Sequence, residues 1–216
     1  MPRVAGHAGV LTLARAGTRR VLLFAGRVHG YEGRTIDEII FPVRVCATLG
    51  IPVMLASNAA GGIGVHLHAG DLMLVTDYLI VPMAERMGAR LSAIPGLPAH
   101  RLPALDAGLL QHLRDTARSE HIALREGVYG FCSGPTYETR AEIAFMRRAG
   151  IDAVGMSTVP ECIAAHTAGI RIAAISCITN KARTVPTKVS HEEVTDVAAR
   201  ASARFTRLVC NALETL

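Results

Sequence analysis

The chain is 216 residues long, enough to bury one sizeable hydrophobic core and short for two ordinary domains, so one domain over residues 1–216 is expected. Hydrophobic residues make up 50% and charged residues 19%, a balance that excludes disorder because the apolar surface available for burial can offset chain entropy. The net charge of +5 is spread over single basic residues and pairs such as Arg19-Arg20, and with no Trp and 4% aromatics it points to a small anionic ligand rather than to nucleic acid.

Short apolar or β-branched runs alternate with helical patterns, which predicts an α/β fold with a mixed central β-sheet flanked by helices. Residues 21–24 read as a strand, and 35–49 as a helix carrying Ile36, Ile39, Ile40, Val43 and Ala47 on its apolar side. Strands follow at 53–56 and 71–76. Residues 82–103, with four prolines and no periodicity, read as a long loop of the kind usually kept for function. Residues 106–120 restore a helical pattern. Thr139-Arg-Ala-Glu142, Thr158-Val-Pro-Glu161 and Ser190-His-Glu-Glu193 each fit the S/T-x-x-E capping box and mark three helix starts. Gly150 and Gly169 stand where the first two of these helices should stop, as left-handed C-caps ahead of strands at 151–154 and 170–178. The last helix, 192–214, places Val194, Val197, Ala201, Phe205, Leu208 and Ala212 on a core face.

The five cysteines are widely spaced, odd in number and never arranged as CxxC, so neither a disulfide framework nor a zinc site is indicated. They read as small buried hydrophobes in a reducing compartment. The apolar stretch 50–65 contains Ser57, Asn58 and several glycines and falls below the ~18 apolar residues of a membrane helix. Residues 1–7 carry no convincing signal sequence. A cytoplasmic protein with no membrane partner is expected.

Four segments at the C-terminal ends of the inferred strands, where open α/β sheets bind ligands, carry the chemistry. In Gly26-Arg-Val-His-Gly-Tyr-Glu-Gly33, alternation puts Arg27, His29 and Tyr31 on one side of an extended backbone, and Arg with His suits a tetrahedral oxyanion. A surface extension with a turn at Gly30 or Gly33 explains the pattern equally well. In Ser57-Asn-Ala-Ala-Gly-Gly62 a strand breaks into small residues whose amides can approach a ligand, or simply turn. Met156-Ser157 precedes the helix capped by Thr158, a position that favours anions, although a plain turn serine is the commoner finding. Tyr137-Glu138, beginning a helix, and Thr179-Asn-Lys181, ending a strand, offer an acid and an amide able to read a heterocycle. His191 falls in the first turn of the last helix, where a cationic imidazole is disfavoured.

Together with Val154-Gly-Met-Ser-Thr-Val-Pro-Glu161, Gly134-Pro-Thr-Tyr-Glu-Thr139 and His191-Glu-Glu-Val194, these segments resemble the trimeric purine nucleoside phosphorylases, in the same order and from about His7 to the C-terminus. The resemblance implies a nucleoside phosphorylase fold and reversible phosphorolysis of 6-oxopurine nucleosides to free base and ribose 1-phosphate. It implies phosphate binding by Arg27, His29, the Ala59 amide and Ser157, and ribose binding by Tyr31, Met156 and His191. Base binding falls to Ala60, Gly61, Tyr137, Glu138 and Asn180, with Asn180, Glu138 and His29 as the catalytic set. It implies a homotrimer, inorganic phosphate as co-substrate, and no metal or organic cofactor.

Relatives that prefer 6-aminopurines carry Asp where this chain has Asn180, and those that take methylthio-sugars tend to be apolar near the position of His191, so a 6-oxopurine nucleoside with a free hydroxyl is the expected substrate. The family's first strand and its Gly/Ser-rich phosphate loop lie upstream of the region matching His7 and are expected to be missing here. Leu102 stands where the family often has an aromatic that reaches a neighbouring subunit. The missing loop supports the alternative class, a catalytically impaired homologue that binds purine nucleosides or serves as a structural subunit. Methylthioinosine or methylthioadenosine phosphorylase is the alternative among enzymes.

Overall fold

In a computed structural model, which describes residues 2, 4, 6–81, 93–96, 105–182 and 191–216, the last segment by backbone alone over 191–195, the chain opens with a two-stranded antiparallel ribbon. Its strands are β1 (Val10–Ala16) and β2 (Arg19–Ala25), paired from Val10 opposite Ala25 to Ala16 opposite Arg19. A 3-10 turn (Gly30–Glu32) and two short helices follow, α1 (Ile36–Ile39) and α2 (Phe41–Thr48). The remaining elements are β3 (Val53–Gly62), β4 (Leu72–Ile80), α3 (Ala107–Ser119), β5 (Leu124–Phe131), α4 (Arg140–Arg148), β6 (Ala153–Gly155), α5 (Val159–Thr167), β7 (Arg171–Lys181) and α6 (His191–Thr215).

The expected mixed sheet is present, and it closes on itself in the order β3-β6-β5-β4-β7. Pairs β3–β7, β4–β5 and β5–β6 are parallel, whereas β3–β6 and β4–β7 are antiparallel. Leu72, Met73 and Leu74, consecutive on β4, are all fully buried, as expected of a strand covered on both faces. Around the sheet, α3 buries Leu109 and Leu113, and α6 buries Val197, Ala201, Leu208 and Ala212. The Asp106 carboxylate caps α3 by accepting from the Leu109 amide at 2.8 Å and pairs with Arg171 at the start of β7.

Several expectations change. The helix foreseen over 35–49 divides at Ile40, because Pro42 brings no amide hydrogen to the ladder and restarts the helix in its own first turn. The strand foreseen at 53–56 continues through Ser57 to Gly62, held by parallel pairing with β7 along its whole length. Tyr137 and Glu138 precede α4 rather than begin it; the helix is capped by Thr139, whose hydroxyl and Glu142 form the expected box. Gly150 and Gly169 take the left-handed conformation foreseen for them, with φ of 80° and 72°. Strands β1 and β5 were not foreseen. The cysteines are free, and Cys210 is exposed rather than buried. Residues 82–92, 97–104 and 183–190, which include most of the long loop, Leu102 and the Ser190 cap, lie outside the described residues. Among the described residues no helix is long and apolar enough to cross a membrane.

Candidate active site

The C-terminal ends of β3 and β7, the segment after β2 and the turn between β6 and α5 surround a cavity of about 480 Å3, ample for a nucleoside-sized ligand. Arg27, His29, Tyr31, Ala59, Ala60, Gly61, Tyr137, Glu138, Met156, Ser157 and Asn180, expected from sequence, all line it. Of the expected set only His191 is not placed: it starts α6, and its side chain lies outside the described residues.

One end of the cavity is built for an anion. Arg27 follows Gly26, whose φ of 106° and position against His7 leave no room for a side chain: a Cβ there would stand 2.7 Å from the His7 Cα. The guanidinium of Arg27 donates from Nη1 to Thr158 Oγ1 (2.6 Å) and Ser157 Oγ (3.1 Å), and from Nη2 to the Ser57 carbonyl (2.7 Å). The carboxylate of Glu161, 4% exposed on α5, lies 3.5 Å from Nη1. Three of the five guanidinium N–H groups are thus engaged by protein among the described residues. The positive charge stays beside the cavity with its direction fixed.

His29 is 7% exposed, and its Nδ1 donates to Glu32 Oε1 at 2.9 Å, which leaves Nε2 as the ring nitrogen for a ligand. Its ring stacks on Tyr31 with centroids 4.8 Å apart and meets the edge of His7 at 5.0 Å. The extended alternation foreseen for Arg27, His29 and Tyr31 gives way to the 3-10 turn at Gly30, yet all three still face one cavity. Burial, above all, lowers the pKa of both His7 and His29 below the ordinary histidine value. The Arg27 amide donates to His7 Nδ1 at 2.8 Å, so the neutral His7 ring carries its proton on Nε2.

Thr158 was expected to cap α5 and does not; its hydroxyl takes no helix amide. The residue sits at φ 75°, ψ −44°, with the Val159 amide donating to the Ser157 carbonyl at 2.9 Å. This is a γ-turn of the strained hand, and for a β-branched residue it costs about 1–3 kcal/mol. The turn points the Thr158 hydroxyl inward to Arg27 and to Asn58 Nδ2 (3.0 Å). It likewise turns Glu161 toward Arg27 instead of back to the cap.

The other end presents an amide and a carboxyl. Between Ala60 and Gly61 of β3, the facing strand runs from Ile178 to Asn180, so Thr179 is the extra residue of a β-bulge. A bulge re-aims the side chain beside it, and Asn180 consequently lines the cavity. The Thr179 hydroxyl donates to Asn180 Oδ1 at 3.1 Å, which leaves the Nδ2 amide as a donor. Lys181 anchors the strand end by donating to the Gly64 and Leu67 carbonyls. Burial raises the pKa of Glu138 above the usual carboxylate value. Tyr137 beside it is 58% exposed.

Sequence reasoning passed over His7, Asn58, Thr158 and Glu161. Thr158 and Glu161 carried a signal that was read for stability, because the capping-box spacing is the same whether the pair caps a helix or serves a site. His7 carried none, since its approach depends on the ribbon pairing.

The phosphorylase superfamily model matches residues 2–214, and the chain belongs to that superfamily. Purine nucleoside phosphorylase 1 of Bacillus subtilis is 41% identical over 215 residues, covering 95% of this chain and 77% of the relative. The purine nucleoside phosphorylase of Mycobacterium tuberculosis is 37% identical over 213 residues, covering 98% of this chain and 76% of the relative. The crystal structure of Schistosoma mansoni purine nucleoside phosphorylase in complex with inosine superposes with a TM-score of 0.89 at 30% identity, covering 100% of this chain and 79% of that one. Within the superfamily, the chain is a member of the purine nucleoside phosphorylases.

Proposed function

We propose that the chain catalyses phosphorolysis of 6-oxopurine nucleosides, inosine, guanosine or their deoxy forms, to the free purine and (deoxy)ribose 1-phosphate, in purine salvage. The observation that carries this reading is that a single cavity holds an arginine-centred oxyanion cluster and, separately, an amide and a carboxyl suited to a purine edge. The structures similar to this chain include complexes of the Schistosoma enzyme with inosine, guanosine and hypoxanthine.

Phosphate is held by the free edge of Arg27, the Ser157 hydroxyl, the Ala59 amide and His29. Neutral His29, with Nδ1–H on Glu32, accepts the phosphate hydroxyl proton in a hydrogen bond through Nε2. His7 offers Nε2–H to the same anion. Tyr31, Met156 and His191 pack the sugar, and Ala60, Gly61 and Tyr137 border the base. A phosphate oxygen forms the new bond to the anomeric carbon as the glycosidic bond breaks and its electron pair passes to the purine. Asn180 Nδ2–H donates to N7 or O6 where that charge grows, an interaction that strengthens as the reaction proceeds, and ionised Glu138 accepts from the N–H edge to hold the base in place. Inorganic phosphate is the co-substrate, with no further cofactor. The chain works as one domain, in a cytoplasmic homotrimer.

Hypoxanthine release from inosine tests the reading. Release that depends on phosphate, with adenosine a much poorer substrate, is the expected result; inosine binding without turnover overturns it.

A further inference from the structure

Hydrogen-bond direction around Ser157 carries an inference that rests on phosphate binding at that residue and goes beyond it. Thr158 Oγ1 accepts from Arg27 Nη1 at 2.6 Å and from Asn58 Nδ2 at 3.0 Å. A hydroxyl has two acceptor sites and one proton. Both acceptor sites of Thr158 are therefore filled, and its proton must be donated. The hydroxyl oxygen beside it is Ser157 Oγ at 3.2 Å. Ser157 Oγ also accepts from Arg27 Nη1 at 3.1 Å, so with the Thr158 proton its own two acceptor sites are filled as well. What remains to Ser157 is a single O–H; the buried Tyr129 hydroxyl also lies against Ser157, and Ser157 lines the cavity whereas neither Thr158 nor Tyr129 does.

We propose that Thr158 is a positioning residue that, with Asn58 and Arg27 donating to it, forces Ser157 to act as a hydroxyl donor to the bound oxyanion. A serine free to rotate divides its time between donating and accepting, and its accepting lone pairs repel an anion. The chain fixes the donor orientation before phosphate arrives, which is preorganisation in the sense that matters for oxyanion sites. The γ-turn explains how the chain achieves this, because only an inward-pointing residue 158 can meet Arg27, Asn58 and Ser157 together. Buried at 2% exposure, Thr158 is also shielded from water that would otherwise compete for the same lone pairs.

The test measures the dissociation constant of inorganic phosphate by titration calorimetry, alongside KM for inosine. Thr158→Val keeps the shape and the β-branch, hence the backbone strain, and removes the hydroxyl. It is expected to weaken phosphate binding by about tenfold with KM for inosine at saturating phosphate nearly unchanged. Thr158→Ser restores the hydroxyl and is expected to bind phosphate within about threefold of the parent. In the Ser157→Ala background the Thr158→Val effect is expected to vanish, since the two act through one proton. Equal phosphate affinity in the parent and Thr158→Val, or additive losses in the double variant, overturns the inference while leaving the phosphorolytic reading intact. Should Thr158→Val not fold, the Thr158→Ser variant decides: tenfold weakening there, with the hydroxyl present, overturns it too. Absence of phosphate binding by the parent protein would instead defeat the functional reading on which the inference stands.

Discussion

Gly61 faces the amide of Asn180 so closely that a Cβ on residue 61 would lie 3.4 Å from Asn180 Nδ2. That separation is ordinary van der Waals contact, so Gly61→Ala should fold. The added methyl would nevertheless crowd the Asn180 amide, the donor proposed to meet the base. We expect an unchanged melting temperature, a fall of roughly tenfold in kcat/KM for inosine, and an unchanged phosphate affinity, measured by steady-state kinetics and calorimetry.

In the proposed role Glu138 binds the purine N–H edge as a carboxylate, a stronger acceptor than the protonated acid, and burial raises its pKa. The rate in kcat/KM for inosine should therefore fall on the acid side with an apparent pKa above the ordinary glutamate value of 4.5. Glu138→Ala should lower turnover by about a hundredfold or more. A pH–rate profile that is flat on the acid side would speak against Glu138 as an acceptor.

Asn180 donates through Nδ2 because Thr179 occupies Oδ1. Asn180→Asp replaces the donor by a carboxylate able to accept from an exocyclic amine, so the ratio of kcat/KM for inosine over adenosine should fall by at least about tenfold. Competition between the two nucleosides measures it directly.

Stability should depend on pH through His7 and His29. Both have pKa values lowered in the folded chain relative to 6.5, so the unfolded state takes up their protons first as pH falls. The stability that the neutral rings allow is fully present above about pH 6.5 and is lost as pH drops toward their folded values. Melting temperature should fall from about pH 7 to about pH 5, and His7→Gln or His29→Gln should each flatten that fall.

Much of this site was legible in the sequence because it is made of short segments with distinctive residue types at strand ends. Arg27, Ser157, Glu138 and Asn180 were identified as residue types suited to oxyanion or heterocycle, and the structure brings all four to one cavity. What was illegible depended on long-range register. His7 reaches Arg27 only because β1 pairs with β2 and Gly26 admits a close approach, neither of which local pattern encodes. Strand β5 carries Arg125, Glu126 and two glycines and lacks a clean alternation, so it gave no period-two signal. Ser57 and Asn58 looked like a turn because polar residues usually end strands, whereas parallel pairing with β7 carries β3 through them. The spacing of Thr158 and Glu161 matched a cap, and only the positive φ at Thr158 shows that the pair faces the site instead.

The central claim is that one cavity transfers a sugar from a purine to phosphate. Phosphorus NMR of the purified protein with inosine and inorganic phosphate tests it most directly. The account predicts a ribose 1-phosphate signal growing in step with hypoxanthine. Free ribose with the phosphate signal unchanged would contradict it, as would no base release at all.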